Sequence, residues 1–174
     1  MHSRFLIRIT KISNRLKLIR NHGLVERNVC QEFSYNSRLD TIQAAVLLPK
    51  LEILDKEIYE KNLLALFYNN SFEKLNDLFC PITNKSCKSA WAQYTLIVSK
   101  RDELIKYLED SNIPTAIHYP LPLNKQPAIQ DLEFNLPVGN YLSKNVLSLP
   151  IHPYMDNDTR NYIVNKLINF YKND

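Results

Sequence analysis

The chain has 174 residues, 45% of them hydrophobic, and a formal net charge of +4, enough for one ordinary domain or a small domain with extensions. That apolar share excludes a disordered chain, and no run approaches the ~20 consecutive apolar residues of a membrane span. Three cysteines, Cys30, Cys80 and Cys87, lack any paired spacing, so neither a disulfide framework nor a structural zinc site is expected. A reducing, cytoplasmic compartment with buried or half-buried thiols follows. Only two glycines are present, which rules out a Gly-rich phosphate loop.

The first twenty residues are basic, with Arg4, Arg8, Lys11, Arg15, Lys17 and Arg20 and no acid before Glu26. An organellar leader or a nucleic-acid patch would share that composition. The favoured reading is a helix with a solvated basic face and no nucleic-acid partner. Ile12, Leu16 and Ile19 lie at helical spacing, which predicts a helix over 11–21 with Gly23 at its C-terminal cap. A polar connection follows. Asp40 and Gln43 form a capping-box pair, and two apolar stripes from Ile42 to Ile58 predict a long helix reaching Leu66 or Phe67. Pro49 lies inside it and predicts a bend.

The aromatic and β-branched alternation of "WAQYTLIVS", residues 91–99, predicts a strand. Ser99 is the expected cap of a helix over 100–110, with Asp102 at the capping-box position and Leu104 and Leu108 inward. Pro114 stops it, and "TAIHY", 115–119, is expected as a second strand. "PLPLNKQP" is too rich in proline for regular structure. A helix over 138–144, a third strand in "NVLSLP" and a last helix capped by Asp156 or Asp158 complete the pattern. Three segments are delimited: 1–38, an N-terminal helix and connection; 39–72, a long interdomain helix; and 73–174, an α+β domain with a small sheet and packed helices.

No His, Cys or carboxylate group has metal-ligand spacing, and no nucleophile–base pair stands out. His118 opens the stiff "HYPLPL" segment, where it serves either a site or the local structure. Tyr119, Tyr94 and Trp91 are either pocket walls or core. Asn36 and Arg38 precede the long helix, where they could hold an anion. Equally, Arg38 could pair with Glu32 or Asp40, and Asn36 could stabilise a turn.

Taken in order, "LKLIRNHG" (16–23), "YNSRLDTIQAAVLLPKL" (35–51), "WAQYTLIVSKRDEL" (91–104), "IPTAIHYPLPLNKQPA" (113–128) and "VLSLPIHPY" (146–154) resemble the DegT/DnrJ/StrS family of pyridoxal-phosphate-dependent nucleotide-sugar aminotransferases. The resemblance covers nearly everything after Lys11. It implies the C-terminal small domain of a fold-type I aminotransferase, preceded by a long kinked helix. Family members are about twice this length. Their large N-terminal domain carries the Schiff-base Lys, the Asp that pairs with the pyridine nitrogen and the stacking aromatic, and no Lys of this chain aligns with that Lys. Ser34 stands where the family usually has Gly.

By resemblance, Asn36 reaches the cofactor phosphate held by a second subunit, Arg38 lies at the same shared site, and His118 with Tyr119 faces the substrate's phosphates. No residue of this chain is assigned a catalytic role or a metal. The resemblance implies a portion that does not transaminate alone, with pyridoxal phosphate not bound by this chain by itself. Its expected partners are a nucleotide sugar and either further copies of itself or a separately encoded large-domain chain. The alternative is a non-catalytic sugar-nucleotide-binding or interaction module. Because the match is strong at once near Lys11, a cut or decayed reading frame is expected, with remnants of the large domain encoded upstream.

Overall fold

The structure is a computed structural model that describes residues 10–129 and 135–172. Arg4 and Arg8 of the basic stretch lie outside the described residues. The chain forms two compact units whose boundary falls inside one helix, between Glu52 and Ile53.

In the first unit, α1 (Thr10–Arg20) ends on His22, whose φ of 57° is left-handed. The Gly23 N–H reaches back five residues to the Leu18 carbonyl at 2.8 Å, the longer bond of a Schellman stop. The expected stop at Gly23 is thus displaced by one residue, and His22 takes the left-handed position. Gly23 is still needed. Its φ is 64°, and a Cβ there would collide with the Glu32 carbonyl oxygen.

A ribbon follows that the sequence pattern did not predict: β1 (Leu24–Glu26) and β2 (Val29–Cys30), antiparallel around Asn28 at φ 64°. Cys30 is exposed there, as is Cys87, while Cys80 is half-buried. The expectation of covered thiols therefore fails for two of the three, since among the described residues of its own unit nothing covers Cys30. The Cys30 Sγ instead lies 3.1 Å from the His22 carbonyl and 3.2 Å from that of Glu32.

Helix α2 (Thr41–Phe72) runs unbroken through Pro49 and ends five residues beyond Phe67. At its start the Asp40 N–H donates to Gln43 Oε1 at 3.1 Å, the return half of a capping box. Its last turns bury Leu64, Ala65, Tyr68 and Phe72.

The second unit is an antiparallel sheet in the order β3 (Leu78–Phe79), β4 (Tyr94–Val98), β5 (Val146–Leu149). Tyr94, Leu96 and Val98 are buried at alternate positions of β4, as a strand period of two requires. They share one core with α2, with Leu104 and Leu108 of α3 (Arg101–Asp110), and with Ile163, Val164 and Leu167 of α5 (Asn157–Lys172). Each such side chain contributes about 1.5–3 kcal/mol by leaving water. Helix α4 (Pro137–Asn145) leads directly into β5.

Three local expectations need correction. Lys100, not Ser99, is the N-cap of α3, in a left-handed conformation at φ 50° and without a side-chain cap bond. "TAIHY" is not a strand, since only Ala116 pairs, with Ser148; Pro114, Pro120 and Pro122 around it have no N–H to extend a ladder. The strand expected from Trp91 starts at Tyr94 instead, because Trp91 has φ 45° and its indole N–H donates to Asn62 Oδ1 at 3.1 Å.

Candidate functional site

The YNSR segment, 35–38, is held against the end of α1 by its backbone. The His22 N–H donates to the Tyr35 carbonyl at 3.1 Å, the Tyr35 N–H to that of Ile19 at 3.3 Å, and the Ser37 N–H to that of Arg20 at 3.0 Å. These bonds bring Asn36 and Arg38 to one place. Arg38 Nε donates to Asn36 Oδ1 at 3.2 Å, while Glu32 is taken by Arg15 at 3.2 Å. Neither carboxylate considered for Arg38 neutralises it; among the described residues it forms no ion pair.

The consequence is chemical. With the Asn36 carbonyl oxygen engaged, its amide NH2 and the outer guanidinium nitrogens remain as donors on two exposed residues. Such a set suits an oxyanion, because several charge-assisted bonds can converge on its oxygens. Arg38 also lines a cavity of about 730 Å³ together with Asn14, Lys17, Arg20 and Asn21. Lys17 and Arg20 of the basic face of α1 border that cavity while remaining exposed.

In the second unit, His118 and Tyr119 sit where the chain leaves its bridge to β5. The Ala116 N–H donates to the Ser148 carbonyl at 3.2 Å and Ser148 returns the bond at 2.8 Å. His118 Nδ1 then lies 3.2 Å from Ser148 Oγ, and Ser148 Oγ lies 2.8 Å from Thr95 Oγ1. The two rings of His118 and Tyr119 meet edge to face at 5.7 Å. His118 is half-buried and Tyr119 is 72% exposed. His118 borders a cavity of about 250 Å³ with Gln93, Ala116 and Ser148. It also borders one of about 610 Å³ with Tyr119, Gln126, Leu142 and Ser143.

Trp91 and Tyr94 pack with the core. Tyr94 is fully buried, its ring 5.0 Å from that of Tyr68 and 5.6 Å from Trp91. Burial pushes both phenols above their ordinary range, so each stays a hydroxyl donor, Tyr94 to Asn69 Oδ1 at 2.6 Å and Tyr68 to the Pro150 carbonyl at 3.0 Å. Thr95 and Ser148 escaped the sequence reading. Their signal was a hydroxyl inside an apolar strand run, "YTLIV" and "VLSL", which must find a partner once covered.

Residues 8–168 match the DegT/DnrJ/EryC1/StrS aminotransferase family. The chain is 40% identical over 146 residues to UDP-2-acetamido-2-deoxy-3-oxo-D-glucuronate aminotransferase of Pseudomonas aeruginosa, covering 84% of this chain and 40% of that protein. Among solved structures, a DegT DnrJ EryC1 StrS aminotransferase from Brucella abortus superposes with a TM-score of 0.87 at 33% identity, over 94% of this chain and 44% of that one. DesV of S. venezuelae, in complex with a ketimine intermediate, gives 0.88 at 29% identity over 94% and 45%. The chain thus spans under half the length of the proteins it matches. No helix among the described residues is long and apolar enough to cross a membrane.

Proposed function

The chain belongs to the DegT/DnrJ/EryC1/StrS aminotransferase family, and from that premise we propose that it forms the C-terminal portion of a pyridoxal-phosphate-dependent nucleotide-sugar aminotransferase. The observation that carries the reading is the entrance to α2, where Arg38 turns the Asn36 amide so that its NH2 and the guanidinium are offered together. That donor set fits the phosphate of pyridoxal phosphate, in a site completed by another subunit.

When bound, the cofactor supplies the electron sink for amino transfer. The residues of this chain bind and orient. Asn36 holds the phosphate, Arg38 adds positive charge at the same place, and His118 with Tyr119 meets the diphosphate end of a nucleotide sugar. The Lys that carries the Schiff base belongs to the family's large domain, and no Lys of this chain aligns with it. Amino transfer therefore needs the family's large domain; this portion does not transaminate by itself, and further copies of it can share the phosphate site without supplying that Lys.

Two measurements test this. The purified chain, mixed with pyridoxal phosphate and reduced with borohydride, should show no stoichiometric label at a single Lys. Clean labelling of one Lys, together with amination of a keto-sugar nucleotide, overturns the reading. Combined with a large-domain portion from a relative, the chain should restore amination. In that assembly Asn36→Ala should raise the cofactor concentration needed by about 10- to 100-fold, the equivalent of one charge-assisted bond. An unchanged requirement removes Asn36 from the phosphate site.

A further inference from the structure

We propose that Ser148, itself hydrogen-bonded to Thr95, is a positioning residue that fixes the neutral form of His118 as the Nε2–H tautomer, so that Nε2 offers a hydrogen-bond donor to an anionic ligand. The consequence for ligand binding rests on the proposed function; the tautomer does not.

The argument begins with the proton count. Ser148 Oγ lies between two partners, Thr95 Oγ1 at 2.8 Å and His118 Nδ1 at 3.2 Å, and a hydroxyl has one proton to give. Two arrangements are consistent. In the first, Thr95 donates to Ser148 and Ser148 donates to Nδ1, so the ring proton sits on Nε2. In the second, Nδ1–H donates to Ser148 and Ser148 donates to Thr95. The Thr95 hydroxyl proton is then left over, and the described residues show no other acceptor for it.

The burial of the pair decides between them. Ser148 is only 5% exposed and Thr95 is half-buried beside it in the register Thr95↔Ser148. A covered donor without an acceptor costs about 1–3 kcal/mol, and orphan donors are rarer than under-used acceptor lone pairs. The first arrangement uses both hydroxyl protons, and the donor it leaves over, Nε2–H, sits on a half-buried residue that borders two cavities, where water or a ligand can accept it. It is therefore favoured.

The frame around the triad is rigid. Ser148 is held by β4 on one side and by its doubly bonded pairing with Ala116 on the other. Its backbone is thus paired two residues before His118, and the ring meets its hydroxyl through Nδ1. Nε2 remains as the ring's second polar atom, on a residue that borders two cavities. Which ring nitrogen carries the proton is set by the bond the other one makes.

The test is 15N NMR of imidazole-labelled full chain at alkaline pH, where free imidazoles are neutral. His118 should show Nε2 at the protonated position and Nδ1 at the unprotonated, hydrogen-bonded position. Thr95→Val keeps the shape and removes the other hydroxyl to which Ser148 could donate. The proton should stay on Nε2, because Nδ1 is then the acceptor left among the described residues for the buried Ser148 hydroxyl. Ser148→Thr, which keeps the hydroxyl, should leave the tautomer as in the parent chain, whereas Ser148→Ala should give a mixture. A proton on Nδ1, in the parent chain or in Thr95→Val, overturns the proposal. A separate arm adds inorganic pyrophosphate and follows the Nε2 resonance. A shift there supports the anion-facing role of His118, and its absence with the tautomer intact rejects that role while the positioning by Ser148 stands.

Discussion

In the last turns of α2, Leu64, Ala65, Tyr68 and Phe72 are at most 2% exposed, while in its first turns Ile42, Val46, Leu48 and Leu51 are 81, 56, 63 and 54% exposed. Both sets are apolar and both lie on one continuous helix. The difference lies in what surrounds them. Beyond Ile53, the sheet, α3 and α5 close over the helix. Before it, the unit has one helix of 11 residues and a two-stranded ribbon, and Gly23 is its only fully buried residue among those described. Composition made both ends apolar, and only the supply of covering elements separated core from surface.

The strongest way to break this comparison is Tyr68→Ala. Loss of the ring and of its bond to the Pro150 carbonyl should destabilise the second unit by about 3–5 kcal/mol, read as a fall in the urea midpoint. A change below about 1 kcal/mol would mean that the core is not where the burial places it.

Gly23→Ala should act on the other unit. A Cβ must meet the Glu32 carbonyl at a left-handed φ, a strain of about 1–3 kcal/mol. Amide exchange should quicken across α1 and the ribbon, with protection in β4 and β5 unchanged. Equal loss in both would remove the distinction between them.

Asp156 gives a smaller, pH-dependent effect. Its carboxylate accepts the Thr159 N–H at 2.7 Å at the start of α5, and that bond holds the group below the usual carboxylate range. Its contribution is therefore full above the unfolded value of about 3.9 and fades as pH falls through the lower folded value. The gap between the parent chain and Asp156→Ala in urea midpoint should be constant from about pH 5 to 8 and shrink below about pH 3. A gap that widens in acid would show the sign to be wrong.

Least of all should stability respond to Ile42→Ser with Leu51→Ser, within about 0.5 kcal/mol each. Contiguous apolar surface drives association, so the pair should instead lower self-association in sedimentation velocity. A parent chain that sediments as a monomer would show that this face does not associate.

The helices were legible because their signals are long: stripes of several turns for α2, and inward pairs such as Leu104 and Leu108 for α3. β4 was legible from alternation over five residues. β3, with two residues, and the ribbon, with three and two, are too short to show a period. The cap of α3 was misplaced because a Ser before a helix is a frequent cap, and nothing local announces that Lys100 turns left-handed. Asn36, Arg38, His118 and Tyr119 stood out by residue type and position with structural readings left open, and their roles came through the resemblance, since no spacing rule decides them. Thr95 and Ser148 lie 53 positions apart, and their meeting depends on the register of β4 with β5.

The sheet's margins carry one more consequence. One edge, β3, offers only Leu78 and Phe79, and on the opposite side of β5 the Ser148 backbone is already paired with Ala116. Beyond Ala116 the chain turns into a run with Pro120 and Pro122, which supply no N–H for a further ladder. Such blunted margins discourage strand-by-strand growth. Copies of this chain that do come together would join through side chains on helical surfaces, so assembly would leave the β content of the solution spectrum where it was and give no cross-β spacing.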